Sequence, residues 1–128
     1  MIVRDASAAA AGLVRDGPAR LLMAQERTQA PHLIDAEVAH AVCRLALTGQ
    51  VSAEAAQACL DAWSSFSLTR RATWPFLGRI WELKSNISAY GGSYVALAES
   101  LECALITADQ RLGKAADSAR CLISIVPR

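Results

Sequence analysis

Residues 86–109, NISAYGGSYVALAESLECALITAD, hold a helix start, a buried helix, a buried strand and a carboxylate at that strand's end. From Tyr94 to Leu101 the apolar residues Tyr94, Val95, Leu97, Ala98 and Leu101 recur at three- and four-residue spacing, which predicts one apolar helix face. Ala104, Leu105 and Ile106 form a run too brief for a helix. Thr107-Ala108-Asp109 then turns polar, as a buried parallel strand does on leaving its sheet. Ligands of open α/β sheets sit beyond the carboxyl ends of the strands, so Asp109 is a candidate functional residue.

Working outward, Ile2 and Val3 read as a first strand, with Asp5 immediately after it where ASAAAA starts a helix. Asp5 suits two roles, strand-end acid and helix N-cap, and this segment alone supports both. Asp16-Gly17-Pro18 is a turn into a helix running to about Arg27. Ala30-Pro31-His32-Leu33 reads as a strand start or edge because Pro31 cannot donate to a ladder. Asp35 is expected to cap the next helix, in which Glu37, Val38, Ala41, Val42 and Leu45 share a side. Glu37 falls in the first turn, where an acid also suits the helix dipole. Gly49 ends that helix and Ser52 starts another.

Ser67-Leu68-Thr69 predicts a short strand, with Arg70 and Arg71 in a solvated loop after it. Thr73-Trp74-Pro75 opens an amphipathic helix whose apolar residues are Phe76, Leu77, Ile80, Trp81 and Leu83. A last helix from Gln110 to about Ala116 and a strand from Cys121 to Val126 follow. The alternation predicts an α/β fold: a three-layer α/β/α domain with a short, mostly parallel central sheet and right-handed crossovers.

At 128 residues the chain suits one domain spanning residues 1–128, and its 53% apolar content supports a real core. A net charge of +1 removes any global attraction to nucleic acid, so such binding must come from a local patch. No signal peptide or membrane-length apolar run is visible, which favours a cytoplasmic protein without membrane contact. Cys43, Cys59, Cys103 and Cys121 lie at wide spacings inside apolar segments and read as buried, reduced thiols rather than a zinc or disulfide framework. His32 and His40 read as structural or surface residues. Neither a Gly-x-Gly-x-x-Gly after the first strand nor a Walker sequence is present, so nucleotide-cofactor readings lack a phosphate cradle. What remains is Asp5, Glu37 and Asp109, three acids that repel one another if brought together unless a hard divalent cation joins them.

The segments MIVRDASA, PHLIDAEVAHAV, IWELKSNISAY, YVALAE and ALITADQRL, in this order, resemble the PIN-domain ribonucleases, specifically the VapC toxins of bacterial type II toxin–antitoxin pairs. The resemblance covers essentially the whole chain. It implies a PIN-like fold, an acidic Mg²⁺ or Mn²⁺ site, hydrolysis of RNA phosphodiesters, a cognate antitoxin partner and a homodimer. Three of the family's four acids match Asp5, Glu37 and Asp109. Ser7 and Thr107 match hydroxyl positions beside them that orient a ligand or water in the family, and both also suit local caps or turns.

The fourth acid belongs after Ala89-Tyr90, where this chain carries Gly91-Gly92 and relatives usually carry Asp first. Gly91 thus removes a ligand and a charge, which implies weakened or absent cleavage. Near a helix start, at the N-cap, such an exchange costs only a few tenths of a kcal/mol. The alternative is a non-catalytic PIN-like module that binds an antitoxin or RNA without cutting it.

Overall fold

The computed structural model describes residues 1–128. Five strands, β1 (Ile2–Arg4), β2 (Thr28–Pro31), β3 (Thr69–Arg71), β4 (Ala104–Thr107) and β5 (Ile123–Ile125), pair in the order β3-β2-β1-β4-β5. Every pairing is parallel, and helices cover the sheet as a three-layer α/β/α arrangement requires. The helices are α1 (Ala6–Val14), α2 (Pro18–Gln25), α3 (Ile34–Leu47), α4 (Ala53–Ser65), α5 (Leu77–Leu83), α6 (Ala89–Ser100) and α7 (Gln110–Lys114).

Strand alternation sorts the core. Val3 and Leu105 enter the larger cluster with Val38 and Val42 of α3, Trp63 of α4 and Val95 and Leu97 of α6. Ile2 and Ile106 enter a smaller one with Ala8 and Ala19. Arg4 shares the latter face and is fully buried. Its Nη1 donates to the Ala19 carbonyl at 3.1 Å while Nε and Nη2 lack a protein partner, and burial lowers its pKa to about 10 against the opposing pull of Asp5.

Several elements depart from the sequence reading. Helix α6 is buried at every position from Gly92 to Ala98, not along one face, because it lies between the sheet and α5. Pro31 closes β2 rather than opening a strand at Ala30–Leu33, since it can accept but not donate, and the next residue's N–H, that of His32, bonds the Arg71 carbonyl at 3.1 Å.

Strand β3 begins at Thr69, so Arg70 and Arg71 belong to the sheet edge and not to a loop. Arg70 reaches back to Asp35 with 2.6 and 2.9 Å bonds. That pull explains why Asp35 does not cap α3: Leu33 stands at the cap position, and the Asp35 carboxylate points across to Arg70 and to Trp63 Nε1, 2.8 Å away.

The segment after Thr73 starts as a 3₁₀ turn, Trp74–Phe76. Of the apolar residues expected to line the core there, Leu77 and Trp81 are exposed, while Ile80 and Leu83 are buried. Helix α7 ends at Lys114 and a 3₁₀ turn, Ala116–Ser118, follows it. All four cysteines are free thiols, but Cys43 is exposed on α3 rather than buried, because it lies on the side away from Val38 and Val42. No helix is long and apolar enough to cross a membrane.

Candidate acidic cleft at the sheet's switch point

The strand order places the topological switch beside β1, where β2 and β4 flank it and the chain departs to opposite sides. Arg4 pairs with Ile106, and the ladder continues as the Asp5 N–H donates to the Ile106 carbonyl at 3.0 Å. Thr107 is therefore opposite Asp5, with Asp109 two residues further on. A cleft of about 460 Å³ opens here, and Asp5, Ser7, Glu37, Gly91, Tyr94 and Asp109 are among its lining residues. Three acids distant in sequence thus share one cleft, with Gly91 on its wall.

Asp5 is 6% exposed and is held on both oxygens. Oδ1 accepts from Ser7 Oγ at 2.7 Å and from the Ala8 N–H at 3.0 Å, so Asp5 caps α1; Oδ2 accepts from the Thr107 hydroxyl. The two open roles of Asp5 are thereby compatible, since a carboxylate has about four acceptor positions and three are used. Burial pushes its pKa up, and the nearby Asp109 charge adds to this, against the lowering effect of the Thr107, Ala8 and Ser7 bonds. Ser7 and Thr107 are tied into the same lattice: the Ala108 N–H donates to Ser7 Oγ at 2.9 Å and the Asp109 N–H to Thr107 Oγ1 at 3.0 Å.

Asp109 caps α7 by accepting the Arg111 N–H at 2.9 Å. The Arg111 guanidinium lies 3.3 Å from both its oxygens, although 89% of the Arg111 side chain is exposed. Burial raises the Asp109 pKa, but the Arg111 bonds and the charges of Arg111 and Arg128 outweigh it, and the net shift is downward. Glu37, in the first turn of α3, accepts from Tyr94 Oη at 2.6 Å.

Gly91 is not the N-cap of α6. Ser88 is, with its hydroxyl accepting the Gly91 N–H at 3.2 Å, so Gly91 stands at the third helical position. A Cβ there would lie 2.9 Å from Ile87 Cγ2 and 3.5 Å from Leu112 Cδ1, so a side chain requires Ile87 to shift, which a capping argument does not anticipate.

The donors suit a hard divalent cation: all are carboxylate oxygens, and neither His nor Cys lines the cleft. No three of the chain's His, Cys, Asp and Glu side chains gather closely enough to enclose an ion by themselves. Mg²⁺ commonly binds through one or two carboxylates and retains several waters, so the chemistry of these donors fits such an ion. Sequence reasoning missed Tyr94 and Arg111 here. The apolar periodicity reads Tyr94 only as a core residue, yet a buried phenol needs a hydrogen-bond partner, and that is the signal the sequence offers.

Known proteins of similar sequence extend over the whole chain. Ribonuclease VapC9 of Mycobacterium tuberculosis and VapC ribonuclease Mb0985 of Mycobacterium bovis are each 48% identical over 128 residues, covering 100% of both chains. Ribonuclease VapC1 of Mycobacterium tuberculosis is 37% identical, covering 97% of this chain and 96% of that one. Among solved structures, the crystal structure of PAE2754 from Pyrobaculum aerophilum superposes with a TM-score of 0.71 at 25% identity, over 95% of this chain and 81% of that one. No protein-family model matches the chain.

Proposed function

Because the chain belongs to the VapC family of PIN-domain ribonucleases, we propose that it is the toxin of a type II toxin–antitoxin pair, a single PIN domain over residues 1–128 whose acidic cleft serves divalent-metal-dependent hydrolysis of RNA. The observation that carries this reading is the convergence of Asp5, Glu37 and Asp109 on one cleft at the switch point. Asp5 and Asp109 would hold Mg²⁺ or Mn²⁺, with Glu37 joining them directly or through water. A bound ion supplies charge to stabilise the phosphoryl oxygens and lowers the pKa of attacking water. Ser7, Thr107 and the Ala8 N–H fix the Asp5 carboxylate before any ligand arrives, so no reorganisation is needed there. Arg111, the one Lys or Arg on the cleft wall, stands where a substrate phosphate would approach.

At Gly91 the wall offers neither a ligand nor a negative charge, and weakened metal affinity and cleavage follow from that. Two surface features would suit the partners that the family implies. A shallow apolar depression between α1, α2 and α4, lined by Leu13, Met23 and Phe66 with Arg20 at its edge, suits an antitoxin helix. The exposed stripe Trp74, Leu77 and Trp81 supports a homodimer through α5.

The test is cleavage of structured RNA with added Mn²⁺ or Mg²⁺ against the same reaction with chelator. Metal-dependent cleavage that disappears in Asp5→Asn supports an enzyme. Tight, chelator-insensitive RNA or antitoxin binding without cleavage, even for Gly91→Asp, replaces it with the non-catalytic reading.

A further inference from the structure

Asp5 is restrained by three donors, Asp109 by two groups of Arg111, and Glu37 by the Tyr94 hydroxyl alone. Tyr94 is 2% exposed and belongs to the main core, where a phenylalanine would fill the same ring volume. Tyr94 also lines the cleft, and its hydroxyl is the side chain's one hydrogen-bonding group. That hydroxyl donates to Glu37 Oε1 at 2.6 Å, while Oε2 makes no protein hydrogen bond and is open to solvent.

We propose that Tyr94 is a positioning residue: its hydroxyl, carried on the buried helix α6, fixes the Glu37 carboxylate so that Oε2 faces the divalent-cation position shared with Asp5 and Asp109. The inference rests on the metal-site reading given above and assigns a role within it. Glu37 is a flexible side chain at the start of α3, and without a partner its carboxylate samples several rotamers, most of them pointing to solvent. Anchoring one oxygen to a group that itself cannot move removes that freedom before the ion arrives. Burial, the Glu37 bond and the charges of Glu37, Asp5 and Asp35 all push the phenol above its ordinary pKa, in keeping with a hydroxyl that donates to Glu37.

The experiment measures Mn²⁺ dissociation constants by calorimetry or electron paramagnetic resonance for the full chain, Tyr94→Phe, Glu37→Gln and the double variant, in the native and the Gly91→Asp backgrounds. Circular dichroism and Tm verify matched folding. Loss of an outer partner of a metal ligand typically weakens affinity about 10–100-fold, and that is the effect expected of Tyr94→Phe. In the Glu37→Gln background the same change should do nothing further, because Tyr94 acts through Glu37. An unchanged Mn²⁺ constant for Tyr94→Phe overturns the inference while leaving the metal site intact. An equal loss in the Glu37→Gln background also overturns it. No Mn²⁺ binding by any form overturns the metal-site reading and this inference with it.

Discussion

Asp35 and Glu37 are two carboxylates in the first turn of one helix, and they have opposite fates. Asp35 is tied up away from the cleft: the Arg70 guanidinium grips both oxygens and Trp63 Nε1 adds a third bond. The Arg70 bond, opposed by burial and helped by Trp63, holds its pKa below the usual carboxylate range. Glu37 has one partner and a free oxygen on the cleft. Their spacing of two residues points them about 200° apart around the helix, one toward the β3 edge and one toward the switch point. Residue type and position at a helix start do not separate these two acids; the side of the helix each carboxylate faces, and the partners waiting there, do.

The largest effect that could break this comparison is functional. Glu37→Gln should weaken Mn²⁺ binding, and any RNA cleavage, by roughly 100-fold or more, the upper end of what loss of an outer partner costs, with Tm nearly unchanged. A calorimetric titration beside a melting curve checks both halves.

Asp35→Ala should do the reverse. It strands the buried Trp63 N–H and the Arg70 fork, and should lower stability by about 1–3 kcal/mol in urea unfolding while leaving the Mn²⁺ constant of the folded protein alone. If Asp35→Ala instead removed metal binding at unchanged stability, the division of labour between the two acids would be wrong.

A smaller effect sharpens the contrast from the Asp5 side. Burial holds the folded-state pKa of Asp5 above the ordinary carboxylate value of 3.8, so the native state binds its proton more readily than the unfolded chain. Stability from this group is complete below 3.8 and is lost as pH rises through the folded value. Asp5→Asn should therefore raise Tm at pH 7, with the gain fading near pH 3, while metal binding is lost. Melting curves across pH 3 to 8 check the sign, which is opposite to that for Asp35.

Much of this was legible in the sequence. The Asn86–Asp109 stretch predicted helix, strand and strand-end acid, and Ser88, β4 and Asp109 occupy those places. The first strand and Asp5 followed the same logic, since a short apolar run ending in an acid is a local signal. What failed depended on partners distant in the chain. Arg70 draws Asp35 away from the cap across 35 residues, and α6 is buried all round because the sheet and α5 enclose it. The Tyr94–Glu37 bond spans 57 residues and leaves no periodic trace. That Gly91 lies beside these acids was legible, but the crowding a side chain there would meet at Ile87 was not.

The most direct test of the central claim, one metal-dependent cleft weakened at Gly91, is a Mn²⁺ titration of Gly91→Asp beside the native chain, Gly91→Ala and Gly91→Asp combined with Asp5→Asn. Gly91→Ala carries the steric cost at Ile87 without the charge. The account predicts a Mn²⁺ constant at least about tenfold tighter for Gly91→Asp alone, matched by faster RNA cleavage, with Gly91→Ala no better than native and the double variant reduced to or below native affinity. Equal Mn²⁺ affinity in Gly91→Asp, Gly91→Ala and the native chain would contradict it.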